Sequence, residues 1–114
     1  MMAALFPDII PDGSLLRAHE IVILKYNASH PRTDVHADPS LFAFTLALSP
    51  ADSFDGGGTY FEHVDQVLHM DQGQVTFRPG SVRHAGAQVR KGLRYVLAGF
   101  IAVENRVEHV RRIK

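Results

Sequence analysis

The chain has 114 residues, no cysteine and 12 basic against 12 acidic residues, so it carries no formal net charge at neutral pH. That length makes one small domain able to bury roughly 65% of its unfolded surface, and a hydrophobic fraction of 46% is ordinary for a globular core. Without cysteine there are no disulfides, zinc-thiolate sites or thiol nucleophiles, and the even charge argues against nucleic acid, which needs a basic stripe.

The start, MMAALFPDIIPDG, lacks a basic n-region and is broken at Pro7 and Pro11. It does not read as a signal peptide, so the cytoplasm is the default compartment. Residues 1–15 are expected to be an N-terminal extension, and Gly13 to His19 is a candidate short helix. From Ile21 to Tyr26 the side chains alternate, Val22, Leu24 and Tyr26 on one face and Ile21, Ile23 and Lys25 on the other. Asn27 to Pro31 is turn chemistry, and Thr33 to Asp38 leads into the next extended segment. Phe42, Phe44, Leu46 and Leu48 then alternate with Ala43, Thr45 and Ala47, the clearest period-two run.

A loop at Ser49 to Ser53 precedes Gly56-Gly57-Gly58, which opens a strand through Thr59, Tyr60 and Phe61. Short strands follow at Val67 to Met70, Gln74 to Phe77 and Val82 to Ala85, separated by turns at Asp71-Gln-Gly73 and Arg78-Pro79-Gly80. Lys91-Gly92 turns into the last strand, Leu93 to Val103. That strand holds the longest apolar run, Tyr95 to Val103, well short of the ~18 residues of a membrane span. Glu104 to Arg111 is a second candidate helix. Arg106, Arg111, Arg112 and Lys114 make residues 104–114 a basic, solvated tail. Many short strands with Gly and Pro turns predict a mainly β sandwich or jelly roll.

His36-Ala37-Asp38, with His84 and Arg94 far downstream, carries the chemistry. Residues i and i+2 of a strand point the same way, so His36 and Asp38 can turn toward one ion. Two imidazoles and a carboxylate occupy one face of a divalent iron and leave the other open. Taken alone His-x-Asp is weak, since 7 histidines produce one by chance roughly half the time. Context strengthens it. His84 sits in Arg83-His-Ala-Gly86, where Gly86 is expected to keep bulk away from an ion. Arg94 lies 94 − 84 = 10 residues on, inside an apolar strand. There a guanidinium is costly unless a carboxylate pairs with it, and its fork suits a bidentate dicarboxylate cosubstrate. The alternative is that Arg94 lies on an exposed strand face or pairs with a protein carboxylate. His63 and His69, six residues apart with no partner cysteines, make no zinc site. His19, His30 and His109 are expected at the surface.

The segments Tyr26…His36-Ala-Asp38, Phe54-Asp-Gly-Gly-Gly-Thr59-Tyr-Phe61, Gly73-Gln-Val-Thr-Phe77 and His84-Ala-Gly86…Val89…Gly92-Leu-Arg94 resemble the prolyl 4-hydroxylase-type catalytic domain of iron(II)/2-oxoglutarate-dependent dioxygenases. The flanks Asp38-Pro-Ser40 and Arg94-Tyr-Val-Leu-Ala-Gly-Phe100 are closer to its lysyl hydroxylase-like branch. The likeness covers about residues 16–103, expected to be the dioxygenase domain. It implies a double-stranded β-helix with iron(II) held by His36, Asp38 and His84, and 2-oxoglutarate and O2 as cosubstrates, with L-ascorbate a further cofactor left open. In the family a basic residue at the Arg94 position binds the distal carboxylate of 2-oxoglutarate. A tyrosine ten residues before the His-x-Asp joins it, the place of Tyr26 (36 − 26 = 10); read without the resemblance, Tyr26 is a half-buried strand aromatic. Gly56 to Gly58 match the family's strand-opening glycines and fail as a phosphate loop, because no Gly-Lys-Ser/Thr follows. Such domains usually carry bracing helices before the first strand. Only about fifteen residues precede it here, so few or no helices are expected.

The reaction so implied is hydroxylation of a peptidyl (prolyl or lysyl) or amino-acid-like substrate, releasing succinate and CO2. The Asp38 carboxylate favours hydroxylation over halogenation, which needs that position free for halide. A peptide or small molecule is the expected partner, with no nucleic acid and no membrane. The rivals are a non-enzymatic or truncated β-barrel that binds metal or anion, and a cupin-like metal enzyme that uses no 2-oxoglutarate.

Overall fold

The computed structural model describes residues 16–103. Among them lie nine strands: β1 (Leu16–Tyr26), β2 (Phe42–Ala47), β3 (Phe54–Gly56), β4 (Thr59–Phe61), β5 (Gln66–Leu68), β6 (Val75–Pro79), β7 (His84–Gly86), β8 (Val89–Gly92) and β9 (Arg94–Val103). A single 3-10 turn, Ala51–Ser53, is the one helical element among the described residues. The four-stranded sheet runs β1-β9-β2-β6, a three-stranded sheet runs β5-β4-β7, and β3 pairs with β8. All the pairings are antiparallel. Strands far apart in sequence therefore lie side by side, the connectivity of a jelly roll.

Several sequence expectations change. The helix over Gly13 to His19 gives way from Leu16 onward to β1, which pairs with β9 back to Leu16↔Val103; a long partner strand overrides a weak local helix preference. Lys91-Gly92 is not merely a turn, because Val89–Gly92 forms β8 against β3, with Phe54 opposite Gly92. The candidate helix Glu104 to Arg111 and the basic tail lie outside the described residues.

The four-stranded sheet has two dissimilar faces. On the inner one stand Val22, Leu24 and Tyr26 of β1, Thr45 of β2, Arg78 of β6, and Arg94, Val96, Ala98 and Phe100 of β9, all lining one cavity of about 250 Å³. Thr59, His84, Gly86, His36 and Asp38 close it from the opposite side. Small side chains at the middle of the sheet, Thr45 and Ala98, leave this space open. At one end Tyr26, Val89 and Val96 form a buried apolar cluster with Phe54 packed against it.

Candidate metal centre

Backbone pairing fixes the two histidines before any side-chain contact does. His36 and His84 face each other across an isolated antiparallel bridge, each N–H donating to the other's carbonyl at 2.9 Å. Residues opposed in this way project side chains to the same face, and the imidazole centroids are 4.6 Å apart. Two residues on, the Asp38 N–H donates to the Gly80 carbonyl at 2.8 Å, which holds the carboxylate over the same face. The donor atoms of His36, Asp38 and His84 all lie within 4.8 Å of one another.

Each ring is turned by its other nitrogen. His36 Nδ1 is 2.7 Å from the Asp34 carbonyl and His84 Nδ1 is 3.0 Å from that of Val82. A carbonyl only accepts, so both Nδ1 atoms carry the proton and both Nε2 lone pairs face inward. His36 Nε2 lies 3.4 Å from Asp38 Oδ1, and His84 Nε2 lies 3.4 Å from Asp38 Oδ2. Donor atoms roughly 2.1 Å from one ion sit about 3 Å apart when adjacent; the 3.4 Å separations approach that, and the wider ones, up to 4.8 Å, would have to close around a shared cation. Asp38 Oδ2 is buried without a hydrogen-bond partner. A His36 lone pair and an Asp38 oxygen with no hydrogen-bond partner face the same space as His84 Nε2, and a buried acceptor left unpaired is costly, so the donor set fits a divalent metal. Burial holds His84 below the ordinary imidazole range, with its Val82 bond opposing, and thus in the neutral form that ligates.

Arg78 completes this end of the cavity, and the sequence reading missed it. Placed by the sequence in an Arg-Pro-Gly turn, it is the fourth residue of β6, 7% exposed. Its Nη1 donates to Thr45 Oγ1 at 3.1 Å, and its Nη2 donates to His84 Nε2 at 3.1 Å and lies 3.7 Å from Asp38 Oδ2. Burial pushes its guanidinium below the ordinary value, and Asp38 pulls it back. The available signal was parity. Thr76 and Arg78 share a face opposite Val75 and Phe77, but only the assembled sheet tells which face is inside.

Arg94 lies elsewhere on the same cavity wall, 5% exposed. Among the described residues no carboxylate pairs with it. Tyr26 is its direct partner across β1 and β9, and the guanidinium carbon stands 5.1 Å from the Tyr26 ring centroid, a cation–π contact. Burial pushes Arg94 below the ordinary guanidinium value, with Tyr26 opposing. The exposed-face alternative for Arg94 is excluded by its burial. Gly57, at φ +70°, lets the arginine pass: a Cβ there would come within 3.0 Å of Arg94 Cδ and 2.7 Å of Phe54.

Gly86 serves a different purpose from the one expected. A Cβ on it would meet the Tyr26 ring, 2.6 Å from its hydroxyl and 2.8 Å from Cε1 and Cζ. It makes room for the tyrosine, with no ligand atom of the triad among its nearest neighbours. Its N–H donates to Thr33 Oγ1 at 2.7 Å, tying β7 to the segment that leads into His36.

No family model matches the chain, and neither does any curated protein. Solved structures do. An oxidoreductase of the 2OG-Fe(II) oxygenase family from Burkholderia pseudomallei superposes with a TM-score of 0.68 at 20% identity, over 91% of this chain and 53% of that one. A cupin-2 domain containing protein from Shewanella frigidimarina NCIMB 400 gives 0.52 at 12% identity, over 91% and 93% of the two chains. A protein from Neisseria meningitidis gives 0.51 at 13%, over 82% and 90%. This chain spans about half the length of the oxygenase it matches. The fold is the mainly β jelly roll that such oxygenases and cupins share, and in this chain it carries a His-Asp-His group able to hold a metal.

Proposed function

We propose that the chain is an iron(II)- and 2-oxoglutarate-dependent dioxygenase, with iron held by His36, Asp38 and His84 and the distal carboxylate of 2-oxoglutarate held by Arg94 and Tyr26. One observation carries this reading: a buried guanidinium with no carboxylate partner among the described residues shares a cavity with a three-donor metal site. A metal site alone has no use for such an arginine, whereas a dicarboxylate that chelates metal at one end needs a cation at the other.

When bound, iron and 2-oxoglutarate would supply oxidative decarboxylation of the keto acid by O2, giving succinate and CO2 and placing one oxygen atom in a substrate C–H bond. The protein's own residues do the positioning. The carbonyls of Asp34 and Val82 fix which histidine nitrogens face the ion. Tyr26 supports the Arg94 guanidinium from beneath. Val22, Val96 and Ala98 line the wall with apolar groups that limit water in the cavity. For the acceptor we infer a peptidyl prolyl or lysyl side chain or an amino-acid-like molecule, on the likeness of the motifs around the triad.

Anaerobic addition of iron(II) and then 2-oxoglutarate tests the reading. A weak visible charge-transfer band from a chelated keto acid is expected, and it should fade in Arg94→Ala at 2-oxoglutarate concentrations that saturate the wild type. A cupin that only holds metal would bind iron and show no band, and a protein that binds no metal would show neither. Mass spectrometry of proline- and lysine-containing peptides incubated with iron(II), 2-oxoglutarate and ascorbate should then show a gain of one oxygen matched by succinate. Consumption of 2-oxoglutarate with a free amino acid, and with no peptide modified, would remove the peptidyl assignment alone.

A further inference from the structure

Arg78 is an unusual neighbour for a metal site. It is a buried cation with one nitrogen on a metal-ligand lone pair, and it is built in rather than draped over the site. Thr45 Oγ1 at 3.1 Å and Thr76 Oγ1 at 3.3 Å both accept from Nη1, and the Phe61 ring centroid lies 5.9 Å from the guanidinium carbon. Thr45 and Thr76 are themselves opposed across β2 and β6, so the anchor belongs to the sheet. Its Nη2 donates to His84 Nε2 and stands near Asp38 Oδ2, while its Nε is buried without a partner.

We propose that Arg78 is a resident cation of this centre, which keeps the metal-free triad assembled and holds metal affinity down. The inference rests on the metal-site reading and not on 2-oxoglutarate. Two elementary facts support it. The His84 Nε2 lone pair serves either the Arg78 N–H or a metal ion, never both, so metal binding must break that hydrogen bond. The threonine anchors then keep a full positive charge within a few ångströms of the incoming divalent ion, and like charges in a partly desolvated site oppose each other strongly. In the metal-free protein the same charge relieves the repulsion between the Asp38 carboxylate and the two imidazole lone pairs. A residue that merely braced the ligands would act in the opposite direction: its loss would weaken metal binding.

The sign of the effect decides. Titration of the metal-stripped full chain with Mn(II), followed by electron paramagnetic resonance of the free ion, gives the affinity directly. Arg78→Met keeps an unbranched apolar stem and removes charge; Arg78→Gln keeps a polar amide and removes charge. Each should bind Mn(II) at least about tenfold more tightly than wild type, and each should melt at a lower temperature without metal and recover with it. Arg78→Lys, which keeps the charge, should stay within about threefold of wild type in affinity. Equal or weaker Mn(II) binding by the folded Met or Gln variant overturns the proposal. If wild type binds no Mn(II) while either variant gains it, the proposal stands in stronger form. If none of them binds, the metal reading and this inference fall together; a wild type that binds with no tightening in the variants sinks this inference alone.

Discussion

The two faces of the four-stranded sheet differ in where they carry charge and where they expose apolar bulk. The outer face exposes apolar side chains: Ile21 and Ile23 of β1 are 55% and 64% exposed. Phe44 and Phe77 pack as a tilted pair across β2 and β6 on that same side, their centroids 5.9 Å apart. Charge lies inside, with Arg78 and Arg94 both buried on the inner face and Asp38 and His84 buried opposite them. A fold stabilised only by burial would do the reverse. A buried charge is retained where it has a task or a tightly built partner set, and the proposed function gives the inner face such a task. Substitutions there should alter ligand binding by large factors, and outer-face substitutions should not.

The largest effect belongs to the ligands. Loss of a group that merely orients a metal ligand costs roughly 10–100-fold in affinity. His84→Ala and Asp38→Ala should therefore weaken Mn(II) or iron(II) binding by more than about a hundredfold, measured by calorimetry on metal-stripped protein. Wild-type affinity in either variant would remove that residue from the site. His36→Ala should be the mildest of the three, because His36 is the exposed ligand and water can partly replace it.

Next comes Arg94, where the expected loss is confined to the anion. Removing one side of a buried charge-assisted pair costs ~2–5 kcal/mol. Arg94→Ala should thus lose at least about thirtyfold in 2-oxoglutarate affinity while metal affinity holds within a few-fold. Arg94→Lys should keep part of the binding, as a point charge without the fork. Calorimetry with iron-loaded protein under nitrogen separates the two ligands. Unchanged 2-oxoglutarate binding in Arg94→Ala would leave the buried charge unexplained and return the reading to a metal-only cupin.

These contrasts also mark what a sequence can and cannot convey. The i, i+2 relation of His36 and Asp38 is local, and so was legible; so was the alternation of β2, whose faces are set by strand geometry alone. His84 could be proposed from its setting among glycine turns, but not paired with His36, because that pairing closes a loop of 84 − 36 = 48 residues. The start of β1 was misread for the same reason: Leu16 is held by Val103, at the far end of the described chain. Arg78 was missed because Arg-Pro-Gly is sound turn chemistry, and nothing local says that the strand persists through it. Gly86 was noticed and its purpose misjudged, since Tyr26, the group it accommodates, is sixty residues away (86 − 26 = 60).

Gly86 gives the third test, of intermediate size. Gly86→Ala places a methyl group within 2.6–2.8 Å of the Tyr26 ring, and overpacking of this kind costs ~1–3 kcal/mol. Because Tyr26 lies under Arg94, the variant should lose stability and several-fold in 2-oxoglutarate affinity, less than Arg94→Ala does. The mechanism is checked by coupling. In a Tyr26→Leu background, Gly86→Ala should add almost nothing to the loss already caused by Tyr26→Leu. Additive losses would mean that Gly86 acts through the β7 backbone, not through the tyrosine.

The smallest effect should come from the outer face. Ile23 is opposed by Leu97 across β1 and β9, on the side away from the cavity, and among the described residues it is the most exposed large apolar side chain of the sheet. Ile23→Thr preserves β-branching, so the backbone preference of the strand is retained. What it removes is an apolar surface that is mostly in water already. At roughly 25 cal/mol per Å² of buried apolar area, the remaining third or so of one side chain contributes less than about 1 kcal/mol. Thermal unfolding should shift by only a few degrees, with Mn(II) and 2-oxoglutarate affinities unchanged. A loss of several kcal/mol, or any loss of ligand binding, would show that the two faces are coupled through β9. The inner-face results would then have to be read as effects on the sheet before they were read as effects on the site.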